Sequence, residues 1–478
     1  VKMETRTERD FLGEKAIPRG ALWGVHTARA LENFGRPGRR VPEPMIRAYG
    51  FVKKAAIEMN AELGFLGREE AGALSLACEE MIRGELSEWI VVEALQGGAG
   101  TSLNMNVNEV LCNRALQLMG REPGDYEAIH PLDTVNMHQS TNDTYPTALR
   151  VAAMFELARL EGAVTSLLES FQEAEKRFAA HGKVGRTQLQ DAVPITLGRE
   201  MGAYAEAFAR DRWRIFKCRE RIRVVNLGGT AIGTGVTAPR RYVFGVVEKL
   251  RQLTSLPLSR SENLVEATQN QDVLVEVAGI LKALAADLVK VGNDLRLLAS
   301  GPRAGLGEIA LQPVQEGSSI MPGKVNPVLP EYAVQAGMAA FGFEAMIAHA
   351  VSAGNLELNA FLPLACWALL SMIEVLARAC EKLAECVRRM EARSETMERY
   401  LRESTAAAVL LVSKLGHERA SEIALDAVRR GVSLEEAVLA SGEVSKEEWE
   451  AMLSPQRLNA LGERESPPRP RGSERSGG

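Results

Sequence analysis

Residues Leu157–Phe178 read LARLEGAVTSLLESFQEAEKRF, and the spacing of their apolar positions decides the fold class. Leu157, Leu160, Val164, Leu167, Phe171, Ala174 and Phe178 follow one another in steps of 3, 4, 3, 4, 3 and 4. At about 3.6 residues per turn, those steps put all seven side chains on one face of a helix about six turns long. A strand would instead alternate every second residue. One helix cannot bury such a stripe alone, so the pattern predicts a bundle of long helices. A second stripe runs Val273, Val277, Ile280, Leu284, Leu288, Val291, Leu295 and Leu298, with Lys282, Asp287, Lys290 and Asp294 off it. Further helical text covers residues 198–223, 330–353 and 363–402. Aromatic residues are only 5% of the chain, which also favours helices over sheets. The predicted fold class is mostly α.

Around this frame, composition bounds the function. A chain of 478 residues predicts about three domains, and 46% hydrophobic with 25% charged residues excludes wholesale disorder. The net charge of −5 gives no bulk electrostatic reason to bind nucleic acid or an anionic membrane. The longest uncharged stretches are Leu358 to Ile373, which contains Pro363, and Val224 to Pro239, which is glycine-rich; neither is expected to cross a bilayer. Arg6, Glu8, Arg9 and Asp10 leave no apolar segment for a secretory signal near the start. Cys78, Cys112, Cys218, Cys366, Cys380 and Cys386 form no CxxC, and the six histidines are scattered. Reduced thiols, a cytoplasmic location and no metal site are the expectations. Residues 465–478 are rich in Pro, Arg, Ser and Gly and are expected to form a disordered tail.

Polar loops separate the helical segments, and several cluster short hydroxyl and amide side chains. They hold Thr101 and Ser102; Ser140, Thr141 and Asn142; Thr187 and Gln188; and Ser318 and Ser319. Any one of them alone reads as helix capping. Together they read as small donors able to grip a polar anion. The sharpest is Gly317-Ser-Ser-Ile-Met-Pro-Gly-Lys-Val-Asn-Pro327, where glycines give freedom, prolines limit it, Lys324 adds a positive charge and Asn326 an amide. It is not a phosphate-binding P-loop, because Val325 follows the Gly-Lys pair.

The 317–327 segment resembles the signature of the aspartase/fumarase superfamily. Asp10-Phe-Leu-Gly-Glu14 and Trp23-Gly-Val-His-Thr27 resemble its class II fumarase and aspartase branch. The segments 96–108, 139–143, 185–194, 229–235, 293–305 and 354–359 follow in the expected order, so the likeness covers almost the whole chain. Gly97–Asn104 and Ser140-Thr141-Asn142 resemble the aspartase versions more than the fumarase ones. The resemblance implies a three-domain subunit: residues 1–140 as an N-terminal lyase domain, 141–396 as a central long-helix bundle and 397–464 as a small C-terminal helical domain. It also implies a homotetramer whose sites are shared by three subunits, with no cofactor.

The activity implied is reversible deamination of L-aspartate through an enediolate. Ser318 would be the general base, acting as an alkoxide. Thr101, Ser140, Thr141 and Ser319 would hold the β-carboxylate, and Thr187, Lys324 and Asn326 the α-carboxylate. Asn142 would face the amino group. Position 188 departs from the pattern: the family usually has His after Gly-Arg-Thr, and Gln188 cannot titrate near neutral pH. His138, next to the Gln-Ser-Thr-Asn segment, has two readings: compensation for that loss, or a packing residue. Leu411–Gly416 departs too. The alternatives are a related lyase acting on an N-substituted aspartate or another substituted succinate, a fumarate hydratase, and a catalytically silent crystallin-like protein.

Overall fold

The computed structural model describes residues 4–462; the expected tail at 465–478 lies outside them. The chain is mostly helical, with four two-stranded sheets among the described residues. It divides into two compact units built from interleaved segments. The first comprises the chain up to Leu167, Ala207–Asn293 and Val328–Leu383. The second comprises Leu168–Glu206, Asp294–Pro327 and the chain from Ala384 onward.

The first unit opens with the antiparallel hairpin β1 (Thr5–Asp10) and β2 (Gly13–Pro18), followed by α1 (Val25–Phe34), α2 (Glu43–Glu62), α3 (Arg68–Arg83) and α4 (Thr101–Leu118). The stripe from Leu157 to Ala174 lies on α5 (Thr141–Arg177), a 37-residue helix, with Phe178 just past its end, and all seven stripe residues are buried. Its start is a reciprocal cap. Ser140 Oγ accepts from Asn142 N at 3.1 Å, and Asp143 Oδ1 accepts from Ser140 N at 3.0 Å. Pro146 lies inside the helix and has no N–H for the carbonyl of Asn142. That carbonyl accepts instead from Asn226 Nδ2 at 3.0 Å, so the proline leaves no orphan.

The other long helices are α6 (Leu197–Ile222) and α9 (Asp272–Leu298), with the shorter α7 (Arg240–Thr254) and α8 (Leu264–Gln269) between them. The second stripe holds from Val277 onward, except that Val273 and Ile280 are only half-buried while their neighbours Leu274 and Leu281 are buried. A strict 3–4 spacing drifts around a 3.6-residue helix, and the core face drifts with it. Next come α10 (Val328–Ser352) and α11 (Leu362–Arg389), joined through buried Asn359, whose Nδ2 donates to the carbonyls of Ala350 and Val351 while its Oδ1 accepts from Phe361 N. Both are long and apolar enough to cross a membrane by length and composition; α11 is mostly buried, whereas only a third of the apolar window of α10 is.

One expectation fails here. The helical text at 363–402 is two helices, not one. It breaks after Arg389, where Glu391–Ala392 pairs with Ile309–Ala310 and Arg393 N donates to Glu308 O at 2.9 Å. Arg177 supports the break by donating to the carbonyls of Val387 and Arg388, both at 2.9 Å. The second unit also contains the hairpin β3 (Gly182–Thr187) and β4 (Gln190–Thr196). Its C-terminal helices gather a core of their own around Leu411, Ile423, Leu434, Val438 and Trp449.

Candidate active site

In the first unit, two helix N-termini come together. Thr101 is the first residue of α4, after a turn in which Gly98, Ala99 and Gly100 all have positive φ. At Gly100 (φ 95) a Cβ would collide with the ring of Tyr145, so only glycine fits. The Thr101 hydroxyl donates to Gly98 O at 2.7 Å, and Gln96 Oε1 accepts from Leu103 N at 2.8 Å. Thr144 Oγ1, in the first turn of α5, donates to Asn104 Oδ1 in the first turn of α4 at 3.3 Å. Thr101, Ser140, Thr141 and Asn142 therefore sit on two joined helix starts, where N–H groups and helix dipoles favour an anion. The Asn142 Nδ2 donates to Ala231 O at 2.7 Å, leaving its Oδ1 as an acceptor. Capping and site-building prove compatible here: Ser140 caps α5 from the same position that presents it.

Beneath these residues Asp143 is fully buried. It accepts from Ser140 N, Gly228 N and Thr230 N at 3.0, 3.1 and 3.0 Å. Burial nonetheless pushes its carboxyl up to about 7, against those N–H groups and the charge of Lys53. His138 has φ 61, shares a 2.7 Å hydrogen bond through Nδ1 with Asn60 Oδ1, and packs against the rings of Phe65 and Tyr242. Burial lowers its pKa. These contacts fit the reading of His138 as a packing residue.

In the second unit, the 317–327 loop is folded back on itself. Gly317 N donates to Lys324 O at 2.9 Å, and Asn326 Nδ2 donates to Gly317 O at 2.6 Å. A Cβ on residue 317 would strike the Lys324 carbonyl, which is why glycine stands there. Ser318 Oγ accepts from Ile320 N at 3.2 Å and Met321 N at 3.0 Å. Two backbone donors converging on one hydroxyl oxygen stabilise negative charge on it. The Lys324 ammonium and the Ser319 hydroxyl have no partner among the described residues. Residues 323–327 cover a cavity of about 530 Å³ floored by Ile309–Ala310 and lined by Arg389 and Arg393.

Thr187 and Gln188 are at the tip of the β3–β4 hairpin. Thr187 pairs with Gln190, so Gln188 and Leu189 form a two-residue loop. Their φ values are 55 and 62, the left-handed conformation that such turns require and that Asn-Gly usually supplies. Strain of this kind persists where the surroundings over-determine it. The support comes from Glu308, fully buried, which accepts from Arg186 at 2.9 and 3.0 Å and lies 3.0 Å from Lys183. Among the described residues no cluster of His, Cys, Asp and Glu could hold a metal ion.

Sequence reasoning missed Glu308, Lys183, Asp143 and Lys53. Lys53 and Asn60 did leave a signal: they fall on the apolar stripe Ile46, Tyr49, Lys53, Ala56, Asn60 of α2.

Comparison with known proteins agrees with this arrangement. A lyase family model matches residues 13–342, and a fumarase C C-terminus model matches 409–459. An aspartate ammonia-lyase of a Bacillus species is 42% identical over 97% of this chain and 99% of its own. The crystal structure of a fumarate lyase:delta crystallin from Brucella melitensis superposes with a TM-score of 0.90 at 44% identity, covering 96% of this chain and all of that one. A class II fumarase from Schistosoma mansoni superposes with a TM-score of 0.86 at 29% identity, covering 95% and 98%. The chain belongs to the aspartase/fumarase superfamily, in the branch shared by class II fumarases and aspartases.

Proposed function

We propose that the protein is an aspartate ammonia-lyase, interconverting L-aspartate with fumarate and ammonia. The observation that carries this reading is the Ser318 oxygen, held under two backbone N–H groups in a loop that also presents an unpaired lysine. Likeness to the Bacillus aspartate ammonia-lyase over nearly the whole chain favours an amino substrate.

The difficult step is removal of a proton from C3, beside the β-carboxylate. Ser318 as an alkoxide takes that proton, and the electron pair delocalises into the carboxylate as an enediolate. Thr101, Ser140, Thr141 and Ser319 donate to this doubly negative group, and one placed donor is worth about 3 kcal/mol in such a site. The pair then returns to form the C2–C3 double bond as the C–N bond breaks. Thr187, Lys324 and Asn326 hold the α-carboxylate, and Asn142 Oδ1 accepts from the ammonium. An ammonium already carries the protons of the departing ammonia. No acid is therefore needed at position 188, and Gln188 suffices to orient the group. Ser318 finally returns its proton to solvent.

The site segments lie on separate units of the chain, which supports a site completed by other subunits. The partly uncovered apolar face of α10, with Met338 and Met346 exposed, supports a homotetramer packed through its long helices. A cytoplasmic location agrees with six free cysteines, all buried. A panel of aspartate, N-substituted aspartates, malate and other substituted succinates, with products identified by mass spectrometry, tests the assignment. Ammonia and fumarate from aspartate are expected. Fumarate from malate alone, or from an N-substituted aspartate alone, would replace it.

A further inference from the structure

Lys53 departs from the rule that lysines stay exposed. It is a lysine with no exposed surface, on the apolar face of α2, and no carboxylate among the described residues pairs with it. An isolated buried ammonium is costly, so its surroundings must repay the lost hydration. They do so with amides. Lys53 Nζ donates to Asn136 Oδ1 at 3.1 Å and to Gln139 Oε1 at 2.9 Å. Its face toward α2 is closed by the ring of Tyr49, 5.9 Å away.

Both acceptors belong to the segment leading into α5, and each is itself tied down. Asn136 Oδ1 also accepts from Asn104 Nδ2 and Asn108 Nδ2, both at 3.1 Å and both on α4. Asn136 Nδ2 donates to Gln139 O at 3.2 Å. Gln139 Nε2 donates to Val135 O at 3.0 Å and to Met137 O at 3.2 Å. One oxygen thus gathers donors from α2 and α4, and its residue holds the chain that becomes Ser140. Three N–H donors around a single amide oxygen are tolerable only if the oxygen is strongly polarised, which a charged donor supplies.

We propose that Lys53 is a positioning residue for the reaction: through Asn136 and Gln139 its ammonium locks the start of α4, bearing Thr101, to the start of α5, bearing Ser140, Thr141 and Asn142. The proposal rests on the functional reading above for what these residues hold. Lys53 itself touches no reacting atom. Its charge is balanced across the cluster by buried Asp143, whose three N–H partners hold Ser140 and the 228–230 turn. The titratable and charged groups facing Lys53 are Asp143 on α5, Cys78 on α3 and Tyr49 on its own helix. Burial, opposed by the charge of Asp143, brings the Lys53 ammonium down to about 7. Loss of the ammonium's proton as pH rises loosens the lock, while ionisation of Asp143 over the same range opposes that loss.

The test uses the full-length protein, Lys53→Met and Asn136→Asp. Lys53→Met keeps the length and removes the charge; Asn136→Asp keeps the three acceptor contacts and places a carboxylate against the ammonium. Melting temperature and native mass establish folding. Hydrogen exchange is read at residues 98–104 and 140–144, a measurement that needs no substrate. Kinetics with aspartate are read across pH. Lys53→Met is expected to speed exchange at both segments and to lower kcat/KM on the order of 100-fold, the cost of an ångström of misplacement. It should also remove from the pH profile of kcat/KM the step that deprotonation of Lys53 contributes. Asn136→Asp should move that step to higher pH, because a carboxylate favours the charged ammonium. If Lys53→Met does not fold, Asn136→Asp decides alone. Wild-type exchange and wild-type kcat/KM in folded Lys53→Met, or an unmoved pH profile in Asn136→Asp, overturns the proposal. Faster exchange in Lys53→Met together with no deamination of aspartate by the wild type would overturn the functional reading and leave the lock standing.

Discussion

Replacing Glu308 with Gln isolates the support of the β3–β4 hairpin. Glu308 has no exposed surface and faces Lys183 at 3.0 Å and Arg186 at 2.9 Å. Lys183 keeps Glu200 at 2.8 Å when the carboxylate is lost. Arg186 does not; its remaining contacts are the carbonyl of Val184 at 3.3 Å and the ring of Tyr400. Removing one partner of a buried pair costs about 3–5 kcal/mol, because the other charge stays buried and unpaired. Since one of the two cations keeps a partner, the lower end applies, about 3 kcal/mol. For a cooperative unit of roughly 150–250 residues, each kcal/mol lowers Tm by about 2–4 °C, so a drop of about 6–12 °C is expected. Glu200→Gln is the control: Glu200 is a quarter exposed, so the loss should be about 1 kcal/mol or less. Thr187 and Gln188 follow Arg186 directly, so KM for aspartate should also rise in Glu308→Gln. Thermal denaturation followed by circular dichroism, with hydrogen exchange across residues 182–196, reads both effects. A Tm within 2 °C of wild type and unchanged exchange in the hairpin would refute the reasoning.

Three other substitutions probe separate parts of the site. Lys324→Met removes the unpaired cation of the loop and should raise KM and lower kcat; unchanged kinetic constants would place the lysine outside the site. Gln188→His keeps a polar side chain of similar size and should add an ionisation near 6.5 to the pH profile of kcat/KM, so an identical profile would mean that residue 188 does not face substrate. Gly100→Ala puts a Cβ into the ring of Tyr145 at a positive φ and should cost about 2–4 kcal/mol, measured by denaturant unfolding. Wild-type stability there would show that Tyr145 can move aside.

The long helices were legible because their cause is local. Leu157 to Phe178 share one face whatever packs against them, and all are buried. The break between α11 and Ser394–Glu403 was not legible, since it depends on Ile309–Ala310, about eighty residues away, pairing with Glu391–Ala392. The site divides in the same way. Ser318, Lys324 and Asn326 stand in one short segment whose composition betrays it. Lys53 and Glu308 act through partners far along the chain, and nothing beside them in sequence marks them, except that Lys53 interrupts an apolar stripe; Asp143 stands beside the marked Ser140–Asn142 cluster, but its bonds to Gly228 and Thr230 reach 85 and 87 residues along the chain. Gln188-Leu189 reads as an ordinary polar-apolar pair. Only the pairing of Thr187 with Gln190 forces both residues to positive φ.

Fumarate and ammonium incubated with the enzyme in deuterated water test the chemistry at its centre. Addition should deliver one deuteron to C3, on the face opposite the incoming nitrogen, and mass spectrometry with NMR should find L-aspartate carrying a single deuterium of one configuration. Ser318→Ala, folded and with native mass unchanged, should form none. Malate as the product would contradict the choice of aspartate, and deuterium on both faces of C3, or normal labelled aspartate from Ser318→Ala, would contradict elimination by a loop serine.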